Sequence, residues 1–113
     1  MVDINEERFV NVQYKKGVLE LCVLSLLAKR DCYGYEISET VSKSVDISES
    51  TIYPILRRLK DERLVTTYLV EESGGPPRKY YKLTDFGLEQ FTKSKAEWLE
   101  FTKTINKFLE EEK

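Results

Sequence analysis

The chain has no histidine and only two cysteines in 113 residues. Without imidazole it lacks the usual general base, and two thiols fall short of a structural or catalytic zinc set. Two cysteines make no disulfide framework in a chain of this size, so both are read as free thiols. Cys22 sits in an apolar segment and reads as core packing, while Cys32 falls at a helix end. No Gly-rich phosphate loop and no clustered catalytic dyad occur, so acid–base chemistry would have to rest on scattered carboxylates. We therefore expect no metal, no cofactor and no enzymatic activity. Long hydrophobic runs are missing too. The longest, residues 18–28, is interrupted by Glu20 and Ser25 and is too short to cross a bilayer. The acidic, polar MVDINEERF start has no signal-peptide pattern, so a soluble cytoplasmic protein without a membrane partner is expected.

What is present is a globular composition. Charged residues make up 34% and aromatics 12%, enough apolar and aromatic surface for one modest core. The net charge of −2 argues at first against nucleic acid, but its distribution matters more. Residues 50–83 carry seven Lys/Arg against four acids, a net +3, which leaves −5 for the remainder.

That basic segment is also the most patterned part of the chain. Ser50 to Arg63 is an amphipathic, Arg-rich helix in which Ile52, Ile55, Leu56 and Leu59 follow the i, i+3, i+4, i+7 rule. Ser48 or Ser50 is its candidate N-cap. Pro54 conflicts with a helix interior, so the helix either starts late enough to hold it in the first turn or kinks there. Thr66–Val70 and Lys79–Leu83 are β-branched and aromatic, and Gly74-Gly75-Pro76-Pro77 between them cannot continue a strand, so the segment is a hairpin. Tyr80 and Tyr81 point to opposite faces of the second strand, one packed inward and the other free to touch a phosphate backbone. Upstream, a buried helix is expected from about Phe9 to Lys29, ending at Asp31, and Gly34 precedes a second helix over 35–43. Thr84 or Asp85 caps a last helix running to about Leu109, longer than a core of this size needs.

A basic helix followed by a hairpin with cations at its tip suits a duplex, the helix in the major groove and the hairpin on an adjacent backbone or minor groove. Arg57 and Arg58 are candidates for guanine edges or phosphate, and Ser50, Thr51 and Tyr53 for phosphate near the helix N-terminus. Lys60 reaches the backbone if the helix lies along the groove; Arg78 and Lys79 flank the tip. On the last helix Phe91, Trp98 and Ile105 are spaced by seven, with Ser94, Phe101 and Phe108 at the intervening positions. Such a seam either covers the protein's own core or, where the helix overhangs it, pairs two copies.

Order, lengths and local wording resemble the PadR family of bacterial transcriptional regulators. The matching residues are Tyr33-Gly34-Tyr35-Glu36-Ile37, Ser50-Thr51-Ile52-Tyr53-Pro54-Ile55-Leu56-Arg57-Arg58-Leu59, and Gly74 through Thr84, within residues 15–90. The single C-terminal helix is similar to the smaller subfamily. The resemblance implies a mainly α fold with a small β-hairpin: a winged helix-turn-helix DNA-binding domain, residues 1–84, and a long C-terminal dimerisation helix, residues 85–113. It implies a homodimer on a palindromic promoter operator of double-stranded DNA, repressing transcription, with Phe91, Trp98, Phe101, Ile105 and Phe108 at the dimer interface. In some short members facing tryptophans sandwich a planar aromatic effector, and Trp98 matches that position; it is either a packing anchor of the dimer or a ligand platform for drug or phenolic sensing, with Phe101, Tyr14 and Val18 as the other ligand-binding walls. Those members can also place a carboxylate one turn after the tryptophan. Thr102 stands there in this chain, and Glu100 falls on another face. The alternative reading is a winged-helix protein–protein module that binds no DNA.

Overall fold

The computed structural model describes residues 18–72 and 74–110. Within them, residues 18–29 form helix α1. Leu19, Val23, Leu24 and Leu27 recur at three- and four-residue spacing and are buried, which sets its inner stripe. The helix ends before Asp31, with Arg30 N–H donating to the Leu26 carbonyl at 3.3 Å. The part of the expected helix before residue 18, Tyr14 included, lies outside the described residues.

Next comes a two-residue strand, β1 (Cys32–Tyr33), which the sequence did not suggest because two residues show no alternation. Helix α2 (Gly34–Val45) starts at Gly34 itself rather than after it. Ile37 and Val41 form its inner face, as their spacing implied. The helix closes on Asp46 in the left-handed region, φ 60°. Ser48 then caps a 3-10 turn (Glu49–Thr51), accepting from the Ser50 N–H at 3.3 Å.

Helix α3 (Ile52–Asp61) follows directly, starting two residues later and ending two earlier than its sequence pattern implied. Its start settles the Pro54 conflict. Pro54 is the third helical residue, where a backbone N–H would have no intrahelical acceptor, so the ring removes no hydrogen bond. The helix ends in a Schellman arrangement: Arg63 N–H donates to Lys60 O at 3.0 Å and Leu64 N–H to Leu59 O at 2.9 Å. The left-handed position is held by Arg63, φ 64°, and Leu59 and Leu64 supply the accompanying buried contact.

Strands β2 (Val65–Val70) and β3 (Arg78–Leu83) form the expected hairpin, each one residue longer at its start. All pairings are antiparallel in the order β1-β3-β2, and the register lines up Tyr33, Tyr80 and Tyr68 across the sheet. Tyr81, opposite Cys32 and Thr67, is the tyrosine that packs against the core. Cys32 is fully buried, whereas Cys22 is only partly so. The Cys32 thiol, expected at a helix end, is thus a β1 core residue, and burial pushes its pKa up.

Helix α4 (Asp85–Leu109) opens as expected at Thr84, whose Oγ1 accepts from Gly87 N–H at 2.8 Å. The same hydroxyl donates to Arg63 O at 2.8 Å, and Thr84 N–H donates to Leu64 O at 3.1 Å. At about 1.5 Å per residue α4 is roughly 37 Å long, and Gly87 is its one buried residue. Among the described residues no helix is long and apolar enough to cross a membrane.

Candidate nucleic-acid interface

Two features of the local folding place the cationic residues. The α3 core stripe of Ile52, Ile55, Leu56 and Leu59 turns Tyr53, Arg57, Arg58, Lys60 and Asp61 outward, and all are exposed. The hairpin register puts Arg78 opposite Val70, at the loop end of the sheet, with Lys79 beside it. Between these elements lies an open crevice of about 350 Å³ lined by Tyr33, Gly34, Tyr35, Tyr53, Arg78, Lys79 and Tyr81. Tyr53, Arg78 and Lys79, three of the sequence candidates, therefore share one wall system.

Beside Tyr80, the structure adds Tyr33, Tyr35 and Tyr68, to which the sequence reading gave no role. The Arg78 guanidinium lies 4.8 Å from the centroid of the Tyr33 ring, a cation–π distance. Tyr33 is itself one of a row: its ring centroid is 6.4 Å from Tyr35 and 5.8 Å from Tyr80, and Tyr80 stacks on Tyr68 at 5.7 Å. At the end of the row the Tyr68 hydroxyl donates to Asp31 at 2.6 Å, which pushes its pKa up to about 12. The row holds the Arg78 guanidinium against the Tyr33 face while leaving it at the surface. The dense Tyr33-Gly34-Tyr35 spelling was visible in the sequence, but its use depends on β1 pairing with β3.

The remaining candidates divide. Ser50 is exposed at the 3-10 turn, its Oγ 2.9 Å from that of Ser48, and Thr51 is half-buried there. Burial and the neighbouring Tyr53 push the pKa of the half-buried Tyr81 phenol up, and the Arg57 charge offsets part of that rise; Arg57 itself is exposed. Lys60 is exposed. Arg58 goes elsewhere: its Nη2 donates to Glu20 of α1 at 2.6 Å, and its Nε lies 4.0 Å from Glu62. Pairing with Glu20 and, less strongly, Glu62 raises the already high guanidinium pKa.

The second candidate surface is α4. Phe91 packs against the chain's own core, so the first position of the seam points inward. Further along, Trp98, Phe101, Ile105 and Phe108 are exposed, Phe108 to 81%. The Trp98 and Phe101 rings lie 6.1 Å apart, tilted by 48°. They form one end of a cleft of about 390 Å³ between α4 and α1, whose other residues are Glu20, Leu21, Leu24, Ser94 and Glu97. Val18, expected as a wall, is not among them. Glu20 and Glu97 were not anticipated, because solvent-facing acids on two separate helices carry no joint sequence signal.

Comparison with known proteins shows what the chain is similar to. The profile of the transcriptional regulator PadR-like family matches residues 23–93. A PadR-like transcriptional regulator from Bacillus cereus strain ATCC 14579 is 42% identical, and its crystal structure superposes with a TM-score of 0.80 over 88% of this chain and 99% of that one. The negative transcriptional regulator PadR of Bacillus subtilis strain 168 is 32% identical over 77 residues, 65% of this chain and 42% of its own. Bacillus subtilis PadR in complex with operator DNA aligns at 30% identity and TM-score 0.59, over 73% of this chain and 46% of that one. The chain thus spans less than half the length of the Bacillus subtilis regulator.

Proposed function

The chain belongs to the PadR-like family of transcriptional regulators, which are not enzymes, and from that premise we propose that it represses transcription by binding promoter DNA as a homodimer. In this reading the elements from α1 to β3 make the duplex-binding unit and α4 is the dimerisation helix. The carrying observation is the crevice where Tyr53 of α3 meets Arg78 and Lys79 of β3. Two cations and a phenol converge there beside the start of the exposed helix face, an arrangement suited to a phosphodiester backbone next to a groove-bound helix. Arg57 serves base edges or phosphate from the same flank, with Ser50, Thr51 and Lys60 on the backbone. The operator complex of the Bacillus subtilis relative supports this reading, as does its description as a negative regulator.

Dimerisation is supported by the exposed Trp98, Phe101, Ile105 and Phe108 face, which the chain's own core does not reach. Two copies joined through it hold their α3 helices about one duplex turn, roughly 34 Å, apart. A planar aromatic effector enters the cleft beside Trp98 and Phe101 and weakens operator binding by favouring another spacing.

The test is a salt titration of binding to the protein's own promoter fragment. Arg78→Ala should flatten the log–log slope by about 0.9, the contribution of one phosphate contact. An unchanged slope removes the hairpin from the interface. Failure to shift any upstream fragment would favour the protein–protein module instead.

A further inference from the structure

Glu20 occupies two places at once. It is one of the residues lining the cleft between α1 and α4 beside Trp98, and its carboxylate is the acceptor for Arg58 on α3, 2.6 Å away. These residues are 38 positions apart in sequence, so the ion pair ties the first helix to the helix proposed to enter the groove. The cleft is one-sided in charge. Glu20 and Glu97 line it, and no lysine or arginine does so among the described residues. Its apolar walls, Leu21, Leu24, Trp98 and Phe101, accept a flat ring, so a ring with positive charge meets both halves of the lining.

We propose that Glu20 is a shared carboxylate: it holds Arg58 when the cleft is empty and turns to the charged group of a planar organic cation when the cleft is filled. Arg58 is then a positioning residue rather than a base reader. This rests on the effector reading above and supplies the link that reading lacks. Filling the cleft frees the Arg58 end of α3 from α1, and the operator complex weakens. Both partners are partly exposed, Arg58 by 54% and Glu20 by 39% of the side chain, so the pair is weak enough for a ligand to break. The coupling is correspondingly modest, roughly two- to fivefold, the scale of an exposed ion pair.

The experiment uses N-methylquinolinium as the cation and quinoline as its neutral counterpart, with binding to the full chain measured by calorimetry at pH 7. Operator affinity is read by anisotropy with and without the cation, against a protein-free DNA blank. We expect the wild type to prefer the cation and Glu20→Gln to lose that preference while still binding quinoline. Arg58→Ala, which frees Glu20, should bind the cation roughly two- to fivefold more tightly yet no longer pass its effect to the operator. A structural role alone would not tighten ligand binding while silencing the response. Unchanged cation affinity in Arg58→Ala, or a full operator response in that variant, overturns the proposal. Equal wild-type affinity for the two probes also overturns it but leaves an aromatic effector standing. No binding of either removes both.

Discussion

Replacing Gly87 by alanine sets two physical effects against each other. Gly87 lies in the first turn of α4 without a positive φ, so its backbone suits any residue. By helix propensity alone, alanine should stabilise the protein by up to about 1 kcal/mol. The structure reverses the sign. A Cβ at this position would stand 1.9 Å from the Leu64 carbonyl oxygen and 2.9 Å from its carbon, with Leu83 Cδ2 at 3.1 Å. The obstacle is backbone, so the start of α4 must retreat by at least about 1 Å. That movement strains the Thr84 cap, worth about 1 kcal/mol, and the Thr84 bonds to Arg63 O and Leu64 O, worth about 1 kcal/mol each. Set against the propensity gain, the expected loss is about 2–4 kcal/mol. Gly34→Ala is the internal control, since its Cβ would meet Tyr81 and Tyr53 ring carbons at 3.5 and 3.7 Å, ordinary contact distances. Urea unfolding followed by circular dichroism, at one fixed protein concentration because a dimer's stability depends on it, measures both. A Gly87→Ala protein as stable as wild type would refute the packing argument.

Two further outcomes follow from the described contacts. Tyr68 donates to Asp31, and its pKa is raised to about 12 from the ordinary 10. Between those values the folded state holds a proton that the unfolded state has lost. This contribution is therefore full below pH 10 and disappears as pH rises towards 12. Tyr68→Phe should flatten that alkaline loss of stability and remove the last-titrating phenol from an absorbance titration near 295 nm; an unchanged titration would show the bond is not made. Ile105→Glu places a charge on the exposed α4 face, where pairing of two copies would bury it at a cost of about 3 kcal/mol, on the order of 100-fold in dimer affinity. Sedimentation should find folded monomers, since Ile105 is outside the chain's own core. Undiminished dimers would place the interface elsewhere.

Much of the fold was legible because it is written in periods. The Ile52, Ile55, Leu56 and Leu59 stripe, the alternating strands around Gly74–Pro77 and the Thr84 cap each carry a local signal, and each stands where that signal put it. What escaped depends on partners distant in sequence. β1 is two residues long and exists only through β3. The end of α3 carries Arg63 where glycine would have announced a left-handed cap. Alternation showed that Tyr80 and Tyr81 diverge, but the choice of the inward one needed the Cys32 register. Of the site, the cations and the α4 seam were visible as composition and spacing. The engagement of Arg58 by Glu20, and the acidic lining of the cleft, join exposed positions on different helices, for which no sequence periodicity exists.

The two candidate surfaces meet at Leu64. Its N–H completes the cap of α3, its carbonyl receives the Thr84 N–H that precedes α4, and Gly87 closes over that carbonyl. The helix with Tyr53 and Arg57 and the helix with Trp98 and Phe101 thus hang from opposite sides of one residue. In the last turn of α3, one turn before that cap, the Glu20–Arg58 pair ties the same two regions through α1. A change in the slope of α4 therefore has two routes to α3, one through rigid backbone bonds at Leu64 and one through a weak, exposed ion pair. Only the second is soft enough for a small ligand to alter. The Leu64 joint then works as the pivot and Glu20–Arg58 as the adjustable tie. Stiffening the tie should reduce response to a ligand, whereas disturbing the pivot should cost stability first.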